Sequence, residues 1–217
     1  MNLQDKVVVI TGGASGLGKA TAEYLVAEKG AKVALFDLNE DAGNATVAEL
    51  GEDKAIFCQT DVTSEESIDA AIAAVMDKFG AIHGDVNAAG IPLPCKILDK
   101  EGIASSLKKY ATVINVNLCG VFNVMAKCAE QMAKNEPDEK GERGVIINIS
   151  SGAAFEGQIG QSAYSGSKAG VNGMNIPAAS DVYKRQEFAH TCSFLFENGY
   201  MNGRIVRLDG ATVMQAK

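Results

Sequence analysis

Tyr164 and Lys168 stand four residues apart. On a helix that spacing puts a phenol and an ammonium on one face, side by side. A phenol with its ordinary pKa of about 10 is a poor acid or base at neutral pH. A fixed cation beside it favours the phenolate and lowers that pKa. Such a pair can pass a proton to or from an oxygen-bearing substrate. Ser151 follows the apolar run 145–150, thirteen residues before Tyr164. That run reads as a buried strand, so Ser151 falls at its carboxyl end, where α/β proteins place ligands.

These groups need a scaffold, and the amino terminus supplies its first piece. Residues 7–10 form a short β-branched strand that runs into Thr11-Gly12-Gly13-Ala14-Ser15-Gly16-Leu17-Gly18. A helical pattern follows, with Leu17, Ala20, Tyr24 and Leu25 expected on one apolar face. Glycines let the backbone turn tightly and approach a pyrophosphate, and the helix amino end offers N–H donors to that anion. Asp37 closes the strand 32–36, nineteen residues after Gly18. A carboxylate there accepts hydrogen bonds from the adenosine ribose and repels a 2′-phosphate. No lysine or arginine lies within the turn, where Ser15 precedes Gly16. The expected cofactor is NAD(H) rather than NADP(H).

The rest of the chain alternates. A helix around 40–50 leads to a strand at 55–58. Thr63 and Glu66 have capping-box spacing ahead of a helix that carries Ile68, Ala71, Ile72, Val75, Met76 and Phe79. A fourth strand is predicted at 85–88, an irregular segment at 91–104, a long helix at 105–134 and a polar loop at 135–144. Strand–helix alternation implies a doubly wound parallel sheet with right-handed crossovers, a Rossmann-like α/β fold.

With 217 residues, 47% of them hydrophobic, the chain can bury one core, and 1–217 reads as a single domain. No run approaches the ~20 apolar residues of a membrane helix. A net charge of −7 argues against nucleic acid or an anionic membrane as partner. The first residues show neither a signal nor a transit pattern, and a cytoplasmic location is expected. The five cysteines lack paired spacing and read as reduced thiols. The two histidines, His83 and His190, have no nearby ligand partners, so no metal site is expected.

The glycine turn, Asn87-Ala88-Ala89-Gly90 after a strand, Ser151 and Tyr164-x-x-x-Lys168 together resemble the short-chain dehydrogenase/reductase family. The resemblance covers residues 1 to about 179 and resumes near 187. The wording also resembles the type-10 17β-hydroxysteroid dehydrogenases, or short-chain 3-hydroxyacyl-CoA dehydrogenases. The segments that carry this are 12–18, Asn115-Val116-Asn117-Leu118, 120–123 and 194–203. The resemblance implies roles residue by residue. Tyr164 is the general acid or base, Lys168 lowers its pKa and holds the nicotinamide ribose, and Ser151 binds the substrate oxygen. Asn117 matches the fourth member, which kinks a helix and holds a relay water. Gly12, Ser15, Gly16, Leu17 and Gly18 form the phosphate turn, Asp61 and Val62 meet adenine, and Asn87 and Gly90 pack beside the cofactor. The implied activity is NAD-dependent hydride exchange with a secondary alcohol such as a 3-hydroxyacyl-CoA, in a homotetramer.

After Ala179 the pattern departs. Residues 180–186 are polar-rich, and roughly 40 residues expected from the resemblance are absent, more than one strand and crossover require. The sixth strand and the substrate loop are therefore expected to be missing. The last strand, 204–208, is expected to slide toward 146–150, and assembly and turnover to weaken. Two further readings follow: a dinucleotide-binding but catalytically impaired scaffold subunit, and a 3-oxoacyl thioester reductase, which Asp37 disfavours. Segments 91–104 and 155–161, including Gln158 and Gln161, are where a substrate pocket is expected.

Overall fold

The structure is a computed structural model that describes residues 1–139 and 141–179. Met1–Val171 form one compact unit; Asn172–Lys217 form a second, described only for the end of a helix. The readings made for 180–186 and 204–208 lie outside the described residues.

Among the described residues five strands form one sheet: β1 (Val7–Thr11), β2 (Lys32–Asp37), β3 (Ala55–Gln59), β4 (Gly84–Asn87) and β5 (Val145–Asn148). All pairs are parallel, in the order β3-β2-β1-β4-β5. Among the described residues six helices accompany them: α1 (Gly16–Lys29), α2 (Glu40–Leu50), α3 (Glu65–Phe79), α4 (Leu107–Ile114), α5 (Gly120–Met132) and α6 (Ser162–Ala179). The strand order reverses between β1 and β4, where Thr11 and Asn87 face each other. A crevice opens at such a switch point, beyond the carboxyl ends of the strands.

Side chains alternate across the sheet with period two. Val7, Val9, Ala34 and Phe36 meet Ile68, Ile72 and Val75 of α3 and Val124, Cys128 and Met132 of α5. Val8, Ile10, Val33, Leu35 and Val86 form the other core with Ala22, Leu25 and Val47. Each fully buried Val, Ile, Leu or Phe stabilises the fold by about 1.5–3 kcal/mol.

Several expectations are corrected. The buried residues of α1 are Gly18 and Ala22, with Leu25 and Val26 packed behind them. Ala20 and Tyr24 face outward, and Leu17 is 73% exposed. The reason is local. A Cβ at Gly18 would stand 2.2 Å from the Gly12 carbonyl oxygen, and this close approach fixes which face turns inward. The amino cap of α3 is Ser64, whose Oγ accepts from Ser67 N. Thr63 is held instead by Asp61, whose Oδ1 accepts from both its N–H and its hydroxyl. β5 is half-exposed rather than buried: Val145 is 40% and Ile147 50% accessible, while Ile146 packs on the α3–α5 core. Among the described residues it pairs only with β4.

The long helix is present but interrupted. α4 and α5 join through a π-helical turn, Asn115–Cys119. By length and composition alone, Leu107–Met132 is apolar enough to span a bilayer, contrary to the sequence expectation. Its apolar residues serve the core here: Val113, Val121, Val124, Met125, Cys128 and Met132 are buried.

Candidate active site

The glycine turn is built by backbone and by one acid. Gly12, at φ 66°, donates its N–H to Phe36 O at 2.8 Å, and Gly16 lies at φ 52°. Asp37 Oδ2 accepts from Ala14 N at 3.1 Å, and its Oδ1 accepts from Asn39 N at 3.1 Å. The carboxylate therefore stands over the turn, at the end of β2. Helix α1 has no side-chain cap at Ser15 and no acid in its first turn. Its amino end keeps its donors and positive potential for an anion. Leu17 projects at the lip.

At the end of β3, Asp61 is exposed and turned back onto Thr63. Val62 is buried against Gly120, where a Cβ would stand 2.6 Å from its Cγ2, and its carbonyl accepts from Asn123 Nδ2 at 3.1 Å. It pins the β3 end to α5.

At the end of β4, Asn87 Nδ2 donates to Asp85 Oδ2 at 2.6 Å and to Asn148 Oδ1 of β5 at 2.9 Å. Thr11 Oγ1 accepts from Ala89 N at 3.0 Å, which ties the chain after β4 to the glycine turn. Gly90 sits where the parts converge. A Cβ there would lie 3.3 Å from Asn117 Oδ1 and 3.8 Å from Lys168 Nζ.

The π-turn presents Asn117 inward, fully buried. Its Oδ1 accepts from Ile91 N at 2.8 Å; its Nδ2 donates to Ile91 O at 3.0 Å and to Ser167 Oγ at 3.2 Å. The Ser167 hydroxyl donates to Tyr164 O at 2.7 Å. The side chain thus clamps the chain after Gly90 and, through Ser167, the turn of α6 that carries Tyr164. Lys168 Nζ donates to Ile149 O at 2.7 Å and lies 5.9 Å from the Tyr164 ring centroid. Burial holds the Lys168 pKa below the ordinary lysine value. Ser150 Oγ donates to Lys168 O at 3.1 Å. Ser151 follows β5, and its Oγ accepts from Ala153 N at 3.1 Å to cap a short 3-10 turn, Gly152–Ala154.

The structure therefore gathers Gly90, Asn117, Tyr164 and Lys168 at the carboxyl ends of β4 and β5. Thr11, Ile91, Ile149 and Ser167 hold them, four residues to which the sequence assigned no part in the site. Ser167 lies inside the Tyr-x-x-x-Lys motif, but its partner is 50 residues away. Segment 91–104 flanks Tyr164: Cys95 N donates to Gly160 O at 2.6 Å, and Ser162 Oγ donates to Cys95 O at 2.7 Å. Gln161 Oε1 accepts from Gln158 N, so these two glutamines brace their own loop. Leu93, Ile97, Leu98, Phe155 and Ile159 are exposed on the two segments. No cluster of three or more metal-ligating side chains occurs among the described residues.

Residues 6–187 match the short chain dehydrogenase family. The chain belongs to the short-chain dehydrogenase family. It is similar to 3-hydroxyacyl-CoA dehydrogenase type-2 of Homo sapiens, at 40% identity across 96% of this chain and 95% of that one. The Drosophila melanogaster protein of the same name is 39% identical, over 98% and 99% of the two chains. The crystal structure of 3-hydroxyacyl-CoA dehydrogenase type-2 from Mycobacterium avium superposes with a TM-score of 0.76 at 40% identity, covering 82% of this chain and 68% of that one. The human alignment runs over 251 positions against 217 residues here, so at least 34 positions of the relative have no counterpart. This short-chain dehydrogenase is thus an oxidoreductase of a family that uses nicotinamide cofactors. Its residues fit such a group. The glycine turn is open where a Cβ at Gly16 would meet nothing within 4 Å, and at Gly90 any side chain would press on Asn117.

Proposed function

We propose that this short-chain dehydrogenase is NAD-dependent and exchanges a hydride between nicotinamide and the carbinol carbon of a secondary alcohol, a 3-hydroxyacyl-CoA or a close analogue. Nicotinamide, when bound, supplies the hydride acceptor or donor. In the oxidative direction Tyr164, as phenolate, takes the hydroxyl proton; in reduction it returns it. Lys168 keeps positive charge near that phenol, and the Ile149 carbonyl fixes its ammonium. Ser151 donates to the substrate oxygen as its charge changes. The Asn117–Ser167 clamp sets the height of α6 against the strand ends. Asp37, beside Ala14 N, meets the ribose hydroxyls and disfavours a 2′-phosphate.

One observation carries the proposal. Lys168 is buried, hydrogen-bonded at the end of β5, beside Tyr164 and under Gly90, in a chain whose relatives are 3-hydroxyacyl-CoA dehydrogenases by name. NAD⁺ and 3-hydroxybutyryl-CoA, followed by the appearance of NADH, provide the test. NADH formation that Tyr164→Phe removes supports it; NADH formation that Tyr164→Phe leaves intact overturns the assignment of the acid.

A second reading rests on the alignment positions that lack a counterpart here. In it the chain binds the dinucleotide but turns over poorly and serves as a binding subunit. A fluorescence titration with NADH, run beside the assay, separates the two. Binding without turnover selects the second. A cytoplasmic setting and a homo-oligomer belong to the first reading.

A further inference from the structure

Strand β4 carries an acid in the middle of the sheet. Asp85 is fully buried, with Val9 of β1 and Ile146 of β5 as its register neighbours. Those two residues belong to the core that packs against α3 and α5. Asp85 Oδ2 accepts from Asn87 Nδ2, and the same Nδ2 also donates to Asn148 Oδ1. Asp85 Oδ1 and Asn87 Oδ1 are buried with no hydrogen-bond partner among the described residues. Both orphans are acceptors, and the Asn87 amide hydrogens are already engaged. A carboxylate is the least suitable species in this place, because burial penalises its charge and nothing pairs with its second oxygen. The neutral acid removes the charge and turns one orphan acceptor into a donor.

Among the described residues the surroundings offer no cation. From α5 the titratable neighbour is Cys128, whose thiol is pushed up by burial and then by the charge of Asp85. Lys127, next to it, pairs outward with Asp69 at 2.7 Å. From α3 the facing residues are apolar, Ile72 and Val75 among them. His83, two residues back along the chain, accepts from Val7 N, and burial followed by the charge of Lys6 lowers its pKa. Burial raises the Asp85 pKa to about 7, against the opposing hydrogen bond from Asn87.

Asn87 links this acid to the site. Its carbonyl accepts from Ile149 N at 3.2 Å, and its amide holds Asn148. The carbonyl of Ile149 in turn holds Lys168. We propose that Asp85 is a proton-carrying positioning residue: as the neutral acid it lets the sheet close around β4 and so holds the β4 and β5 ends that carry Lys168, whereas its ionisation leaves a buried charge with one oxygen unpaired, which opens those strand ends to water and weakens cofactor binding. The cofactor part rests on the function proposed above.

The test uses the full chain, its Asp85→Asn variant, and Asp85→Ala should the first fail to fold. Infrared difference spectra at about pH 6 and about pH 8, one unit either side of the Asp85 value, read the proton directly. A carbonyl band of a protonated carboxylic acid is expected in the unmodified protein at the lower pH, lost at the higher pH and absent from the variant. NADH affinity of the unmodified protein should weaken by up to about tenfold over the same interval, and the variant should show no such dependence. No band that distinguishes the two proteins, or an equal pH dependence of NADH affinity in both, overturns the inference. Failure of the unmodified protein to bind NADH at either pH overturns the proposed function instead, and the infrared band alone then decides whether Asp85 carries the proton.

Discussion

In the proposed reaction Tyr164 and Lys168 divide the work, one moving a proton and the other holding charge and cofactor. Tyr164→Phe should lower turnover by about 10²–10⁴-fold, the usual worth of a positioned acid or base, with NADH affinity nearly unchanged. Lys168→Ala should damage both, since its ammonium anchors at Ile149 O and faces Gly90. Steady-state assays paired with NADH titration check these outcomes. In the proposed function Asp37 has two duties at once. Asp37→Ser should narrow the preference for NAD over NADP. It should also destabilise the fold by about 1–2 kcal/mol, because Ala14 N loses an anionic acceptor. Equal or tighter NADP(H) binding by the unmodified protein would refute the NAD assignment.

The π-turn is the element on which the site hangs. It widens the helix by one residue per turn and places Asn117, rather than a core apolar residue, against Ile91. Asn117→Ala should destabilise the protein by about 3 kcal/mol, since Ile91 N–H and C=O both lose their partner. Thermal unfolding measures it. Strand β4 carries a different burden. Its acid has a folded pKa of about 7, raised from 3.8. The native state therefore holds a proton that the unfolded chain has released, and the associated stability is full below the unfolded value. It falls as pH rises through that interval, by on the order of 4 kcal/mol, and levels off above the folded value. Unfolding midpoints of Asp85→Asn should lack this slope, and a slope as steep as in the unmodified protein would show that another group titrates.

At the scale of the whole molecule the question is how much enzyme 217 residues make. Relatives align over 251 positions, and closure of a substrate loop is what commonly excludes water and completes positioning in such sites. NADH binding should survive, because the glycine turn, Asp37 and the β4 end are built within the first compact unit. Turnover with 3-hydroxybutyryl-CoA should fall below the ordinary enzyme range of ~1–10³ per second. A rate within that range would show that the shortened chain completes its site by other means.

Local spacing determined much of this protein from the sequence alone. β1, the glycine turn and Asp37 follow from β-branched runs, glycines and one acid at set distances. The parallel doubly wound order follows from alternation. Tyr164 and Lys168 share a helix face because they are four residues apart. Position on a one-dimensional pattern is enough for each of these. Tertiary structure decided the rest, because the partners are remote. Thr11 meets Ala89 across 78 residues, Ile91 meets Asn117 across 26 and Asn117 meets Ser167 across 50. No periodicity encodes such pairs. The face of α1 that turns inward was decided by the Gly18–Gly12 approach, not by its apolar stripe. The exposure of β5 depends on which strands flank it, and the burial of Asp85 on sheet order. An acid between Gly84 and Val86 becomes a proton-holding group only when β1, β5 and α5 close around it.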